Sequence, residues 1–147
     1  MRKLHYRNIF AEAGFAQAEI EVRLQSCFHE IFYGLDRFYH EAGADKAYIE
    51  DTGNHDVRTE GMSYGMMMCV QMDRKAAFDR LWKWAKTYMY MTKGINSGYF
   101  AWSVSPEGVP NAAGPAPDGE EYFAMALFFA AHRWGNGEGI FDYEAEA

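Results

Sequence analysis

Glu60 opens a run of apolar residues, TEGMSYGMMMCV, over Thr59–Val70. A carboxylate there has two physical uses. In the first turn of a helix it offsets the positive end of the dipole, with Thr59 as the cap. Among apolar and aromatic neighbours it keeps its proton to higher pH, as a general acid at neutral pH must. The helix that follows is apolar on nearly every side, so its end is expected to face an interior cleft. Asp118, in GPAPDGEEYFAMAL, poses the same choice between an N-cap and a site carboxylate. Between the two acids stand Tyr99, Phe100 and Trp102. Alternate residues of a strand share a face, which would put Phe100 and Trp102 on one side and Tyr99 on the other. Such rings either pack a core or form a flat platform for a sugar ring. A fourth group, Asp51, Asn54, His55 and Asp56, has one histidine and no ligand-like spacing, so a hydrogen-bonded loop is expected there in preference to a metal site. No phosphate loop, dinucleotide fingerprint or nucleophile elbow occurs, and no cofactor or metal is expected.

These residues need elements to hold them. Ile20, Leu24, Cys27, Phe28 and Ile31 recur at helical spacing, which predicts a helix over 16–33 that stops at Gly34. Residues 36–50 are mixed, and either a short helix or an extended piece fits. Asp51–Gly61 is polar and rich in turn formers, hence a loop. Met62–Met72 reads as a buried helix, in which Gly65 would let a backbone or a ligand come close. Asp73 is placed to cap a further helix whose inner face carries Phe78, Leu81, Trp82, Ala85, Tyr88 and Met89. An inward helix followed by an amphipathic outer one suggests a layered helical barrel. All four prolines fall in residues 94–117, where a short strand (Tyr99–Val104) and a turn (SPEG) are expected. A last long helix starts after Asp118, buries Phe123, Leu127, Ala130, Ala131 and Trp134, and ends at Gly135. DYEAEA then opens another helix and stops before showing a period, the pattern of a truncated chain.

Composition narrows the class. The chain has 147 residues, nearly half hydrophobic, enough to build a core in one domain or part of one. The net charge of −7 has the wrong sign for a general nucleic-acid binder. Cys27 and Cys69 fall in apolar helical segments and read as buried thiols. MRKLHYRNIF is positively charged without a long apolar run behind it, so no signal peptide, membrane span or membrane partner is expected, and the cytoplasm is the simplest location.

Four stretches together resemble glycoside hydrolase family 8, most closely its reducing-end xylose-releasing exo-oligoxylanases: DTGNHDVRTEGMSYGMMMCVQMD (51–73), FDRLWKWAKTYM (78–89), GYFAWSV (98–104) and GPAPDGEEYFAMALFFAAHRWG (114–135). YRNIFAEAGF near the start fits the same subgroup. The resemblance implies an all-α fold of six inner and six outer helices, of which this chain would be the N-terminal sector, a single incomplete catalytic domain over 1–147 with an irregular or β segment around 98–112. It implies hydrolysis of β-1,4-linked xylo-oligosaccharides with inversion. It assigns the general acid to Glu60, positioning of the sugar ring to Asp118, stacking in the donor subsite to Trp102, and further substrate contact to Tyr64 and Tyr99. No residue here matches the family's general base, which lies far downstream of the Asp118 motif. Inversion requires such a base about 6.5–9.5 Å from the acid, with a water between. Two alternatives stay open: the same fold acting on β-1,4-glucan or chitosan, since Glu60 is shared by those activities, and a non-catalytic fragment that binds sugar or a partner supplying the missing helices.

Overall fold

The computed structural model describes residues 7–147, so the positively charged opening read above, Met1–Tyr6, lies outside the described residues. A short helix α1 (Ile9–Glu12) leads into α2 (Gln17–Tyr33). Ala16 has no side-chain acceptor to cap α2, and instead the Glu19 carboxylate accepts from the Ala16 N–H at 3.0 Å. The helix ends at Gly34, but not through a left-handed glycine: φ there is −67°. The reason for glycine is space, because a Cβ would stand 2.6 Å from the Glu30 carbonyl oxygen.

The ambiguous stretch after α2 is a hairpin. Strands β1 (Tyr39–Ala42) and β2 (Lys46–Ile49) pair antiparallel, with Tyr39 opposite Ile49. Tyr39, Ala47 and Ile49 are buried. Phe28 stacks on Phe32 at 4.1 Å between centroids, and Tyr39 packs tilted on Phe32 at 5.1 Å. Burial pushes the Tyr39 phenol up to about 12. A second two-stranded pair joins β3 (Val57–Arg58) to β4 (Ser103–Val104). The expected strand over 99–104 is therefore shorter, with Phe100 tied by one isolated bridge to Tyr90. The predicted SPEG turn forms, closed by Gly108 N–H to Ser105 O at 2.8 Å.

Three longer helices carry most of the core: α3 (Thr59–Gln71), α4 (Lys75–Tyr88) and α5 (Pro117–Trp134). Leu81, Trp82, Trp84 and Ala85 of α4 are buried against the hairpin and α3. Gly65 of α3 admits a side chain, not a backbone or ligand: its missing Cβ would stand 2.6 Å from Ile49 Cγ1. A 3-10 turn (Gly139–Phe141) and the four-residue α6 (Tyr143–Glu146) close the described chain. They dock on α4 through Trp82 Nε1–H to Ile140 O (2.8 Å) and the buried Tyr143 hydroxyl, which meets Asp79 and Lys75. Cys69 is buried, and burial pushes its thiol up; Cys27 is only half-buried.

Three expected caps are not caps. Thr59 is the first residue of α3, following Arg58, because its side chain is held under a neighbouring helix. Asp73 adopts φ +57° and turns its carboxylate to Arg133 and Trp134, so α4 starts two residues later with no side-chain cap. Asp118 is the second residue of α5, because Pro117 takes the first position, where its missing N–H costs nothing.

Candidate functional site

Glu60 and Asp118 hold the same place in their helices: each is the second residue, of α3 and α5 respectively. The two helices lie side by side and run in the same direction. Their first turns meet where Gly119 rests on Thr59, so closely that a Cβ at position 119 would stand 2.4 Å from Thr59 Oγ1 and 2.5 Å from its Cβ. One turn further on, the rings of Tyr64 and Tyr122 meet edge to face at 5.1 Å. Each tyrosine follows its acid by four residues, so acid and ring share a helix face. At the far end Asp73, just past α3, accepts from Trp134 Nε1–H (2.7 Å) and Arg133 Nε–H (3.2 Å) at the end of α5.

A third segment is fastened to both first turns. The Thr59 N–H donates to Trp102 O at 3.0 Å, and the Phe100 N–H donates to the Glu120 carboxylate at 2.7 Å. Phe100 and Trp102 do not form a common platform. Phe100 is committed to the core against Trp82, Tyr90 and Phe123. Trp102 is half-buried, with the Arg58 guanidinium carbon 5.2 Å from its ring centroid. Tyr99 is exposed, and its carbonyl accepts from Met91 N–H at 2.8 Å; no contact joins its ring to either acid among the described residues.

Glu60, Gly61, Tyr64 and Met68 form one wall of a groove of about 510 Å³. Its lining also includes Ile49 at the end of β2, Glu50 and Asp51 after it, and Arg58. Glu60 is half-buried and accepts from the Thr59 hydroxyl at 3.3 Å. Neither Glu60 nor Asp118 has an ion-pair partner among the described residues. The nearby acids differ. Asp51 accepts from the Asn54 side-chain amide at 3.0 Å and from Gly53 N–H at 2.9 Å, and lies 3.0 Å from Arg58 Nε. Asn54 foremost, then Gly53 and Arg58, hold the Asp51 carboxyl below the usual carboxylate range. His55 Nδ1 lies 3.0 Å from Glu50. The polar cluster is thus a hydrogen-bonded turn, and no group of three or more His, Cys, Asp or Glu is arranged to hold a metal among the described residues. A larger apolar hollow of about 620 Å³, between α1 and α2, is lined by none of the candidate residues.

The first turns of α3 and α5 adjoin, so Glu60 and Asp118 start neighbouring helices; Glu60 and Tyr64 line the groove, whereas Asp118, Trp102 and Tyr99 do not. A groove lined by a carboxylate and a tyrosine can hydrogen-bond the hydroxyl groups of a ligand. Sequence reasoning missed Arg58, Gly119 and Tyr122. The repeat of an acid followed by tyrosine four residues later was a signal for Tyr122; nothing local announces the Thr59–Gly119 contact.

The model of the glycosyl hydrolases family 8 matches residues 32–147. The chain is similar to the reducing end xylose-releasing exo-oligoxylanase of Halalkalibacterium halodurans, 57% identical over 97% of this chain and 37% of that protein. It is 56% identical to the enzyme of the same name from Bifidobacterium adolescentis, over 94% of this chain and 36% of that protein. An endoglucanase of Ruminiclostridium josui is 33% identical over 64% of this chain and 20% of its own length. Among solved structures, a reducing end xylose-releasing exo-oligoxylanase superposes with a TM-score of 0.95 at 57% identity, covering 97% of this chain and 38% of that one. The Paenibacillus barcinonensis relative solved in complex with xylose gives 0.93 at 55% identity, over 96% of this chain and 38% of its own. The chain therefore spans less than two-fifths of the length of these relatives. Their fold, an (α/α)6 barrel, is the one expected from the sequence. No helix among the described residues is long and apolar enough to cross a membrane.

Proposed function

This chain belongs to family 8 of the glycosyl hydrolases, and from that membership we propose that it carries the acid side of an inverting glycosidase that removes xylose from the reducing end of β-1,4-xylo-oligosaccharides. The single observation that carries the reading is the seating of Gly119 on Thr59, which brings the Glu60 and Asp118 carboxylates to adjoining first turns beside Trp102. Identity of 55–57% to exo-oligoxylanases, against 33% to an endoglucanase, favours xylo-oligosaccharides over β-glucan.

In this reading Glu60 donates its proton to the departing glycosidic oxygen. Asp118 accepts from ring hydroxyls and holds the sugar part-way to its distorted transition state. Trp102 supports the donor-side sugar by its apolar face, and Tyr64 lines the groove beneath the acid. Tyr99 is assigned to the outer part of the substrate path. The base that activates water on the opposite ring face belongs to sequence outside these 147 residues, and residues 1–147 act as one part of a larger catalytic domain. The reaction is placed in the cytoplasm, on short imported oligosaccharides.

The test is xylotriose labelled at its reducing end, given to the full-length polypeptide. Label in free xylose, with unlabelled xylobiose, is the expected outcome. Label in xylobiose would reject exo action at that end, and cleavage of β-glucan oligosaccharides at a higher kcat/KM would transfer the assignment to the other substrate.

A further inference from the structure

Asp56 is the most deeply buried carboxylate near the groove, and the reading above gives it no task. It is 8% exposed. One oxygen accepts from Arg58 Nε–H at 3.0 Å, and the other accepts from the Ser103 hydroxyl at 2.7 Å. Asn111 in turn donates its amide to Ser103 Oγ at 3.2 Å. A buried charge persists only when it is paired and hydrogen-bonded, and here both conditions are met by residues that flank the indole. Ser103 follows Trp102 in the chain and pairs with Arg58 across the β3–β4 ladder. Arg58 lies over the Trp102 ring. Its Nε is held between Asp56 and Asp51, each at 3.0 Å.

We propose that Asp56 is a positioning residue, which fixes Trp102 as a sugar platform by holding Arg58 against one face of the indole and Ser103 beside it. The inference rests on the reading of Trp102 as a sugar contact. The physical reason is rigidity. The half-buried indole precedes a two-residue strand, β4, which gives it little regular backbone support. A guanidinium clamped by two carboxylates covers one face, and so leaves one face and one orientation for ligand. Asp51 alone cannot replace Asp56, because it sits on the exposed turn and does not reach Ser103.

The experiment compares Asp56→Asn, Arg58→Lys, Trp102→Ala and the Asp56→Asn/Trp102→Ala pair in the full-length polypeptide. Asn keeps an acceptor for Ser103 but turns an amide donor or a neutral oxygen toward Arg58. Arg58→Lys keeps the charge and removes the planar fork, and serves should Asp56→Asn fail to fold. The readouts are KM and kcat on xylotriose and the indole N–H signal of Trp102 by NMR. Expected for both single variants at the clamp are a shifted indole signal and a KM raised about three- to tenfold, with kcat nearly unchanged. The double variant is expected to be no worse than Trp102→Ala, since both act through one ring. An unmoved indole signal, or losses that multiply in the double variant, would overturn the proposal whatever Trp102 does. A Trp102→Ala variant with wild-type KM would instead overturn the platform reading itself, and the positioning role with it.

Discussion

The two ends of the α3–α5 pair are built on different terms. At the N-terminal end the Gly119 backbone rests on the Thr59 side chain with no room for a methyl group, and the carboxylates of Glu60 and Asp118 have no cationic partner among the described residues. At the C-terminal end the helices are fastened by side chains alone: Asp73 receives Trp134 and Arg133, in solvent. The acid that ties is paired; the acids proposed to work are not. The two acids also differ in exposure: Glu60 is half-buried in the groove wall, while Asp118 is exposed. The first two predictions separate these acids. Glu60→Gln is expected to lower kcat on xylotriose by about 10²–10⁴-fold, the usual worth of a general acid. Asp118→Asn is expected to lower kcat/KM by roughly 10–10³-fold, the range that ring distortion supplies. An oligoxylosyl fluoride, whose leaving group needs little protonation, should restore much of the rate to Glu60→Gln and none to Asp118→Asn. Equal rescue of both would erase the distinction.

The touching end itself can be broken. In Gly119→Ala the new methyl must displace the Thr59 side chain and backbone, and overpacking of this kind costs about 1–3 kcal/mol. Thermal unfolding should show that loss, and activity should fall with it because both acids ride on the contact. Gly114→Ala is the control: a Cβ there meets nothing within 4 Å, and its φ lies outside the left-handed range. It should stay within about 0.5 kcal/mol of wild type. A Gly119→Ala variant as stable and active as Gly114→Ala would mean that the helices separate without cost, and the site would lose its structural basis.

How much of this was legible follows the same division. The periodicity of α2, α4 and α5 sufficed to place them, because a 3.6-residue apolar stripe is a local property. The hairpin at 39–49 was not, since HEAGADK offers little alternation and the strands are held by Phe32, Trp84 and Gly65 from elsewhere. Caps failed in a regular way. Thr59, Asp73 and Asp118 have capping side chains, but tertiary partners claim the first two, and Pro117 moves the third one place inward, a shift that the Ala-Pro-Asp order already contained. Of the site, Glu60, Asp118 and Trp102 were named through motif resemblance, and Tyr64 joins Glu60 on the groove wall. Arg58 depends on contacts some forty residues along the chain, and Gly119 and Tyr122 on contacts across some sixty, which no local pattern reports. For Phe100 the core reading, one of the two left open, is the one that holds; alternation fixes which residues share a face only while the strand stays regular, and here it is regular for two residues.

The tying end yields the smallest effect and the cleanest sign. Asp73 sits at φ +57°, a conformation that asparagine also tolerates, so Asp73→Asn changes the charge without straining the turn. The Trp134 indole N–H, and after it Arg133, hold the Asp73 carboxyl below the usual range. A carboxylate whose folded pKa is depressed adds stability that is fully present above its unfolded value, about 3.9, and that disappears as pH falls through the lower folded value. Wild type should therefore melt slightly above Asp73→Asn at pH 7, and the two melting curves should converge as the solution is acidified below pH 4. Because the pair is solvent-exposed, added salt should narrow the gap at pH 7 as well. A gap that widened on acidification would show that the aspartate works through shape, not charge, and that the two ends of the helix pair differ less than their chemistry implies.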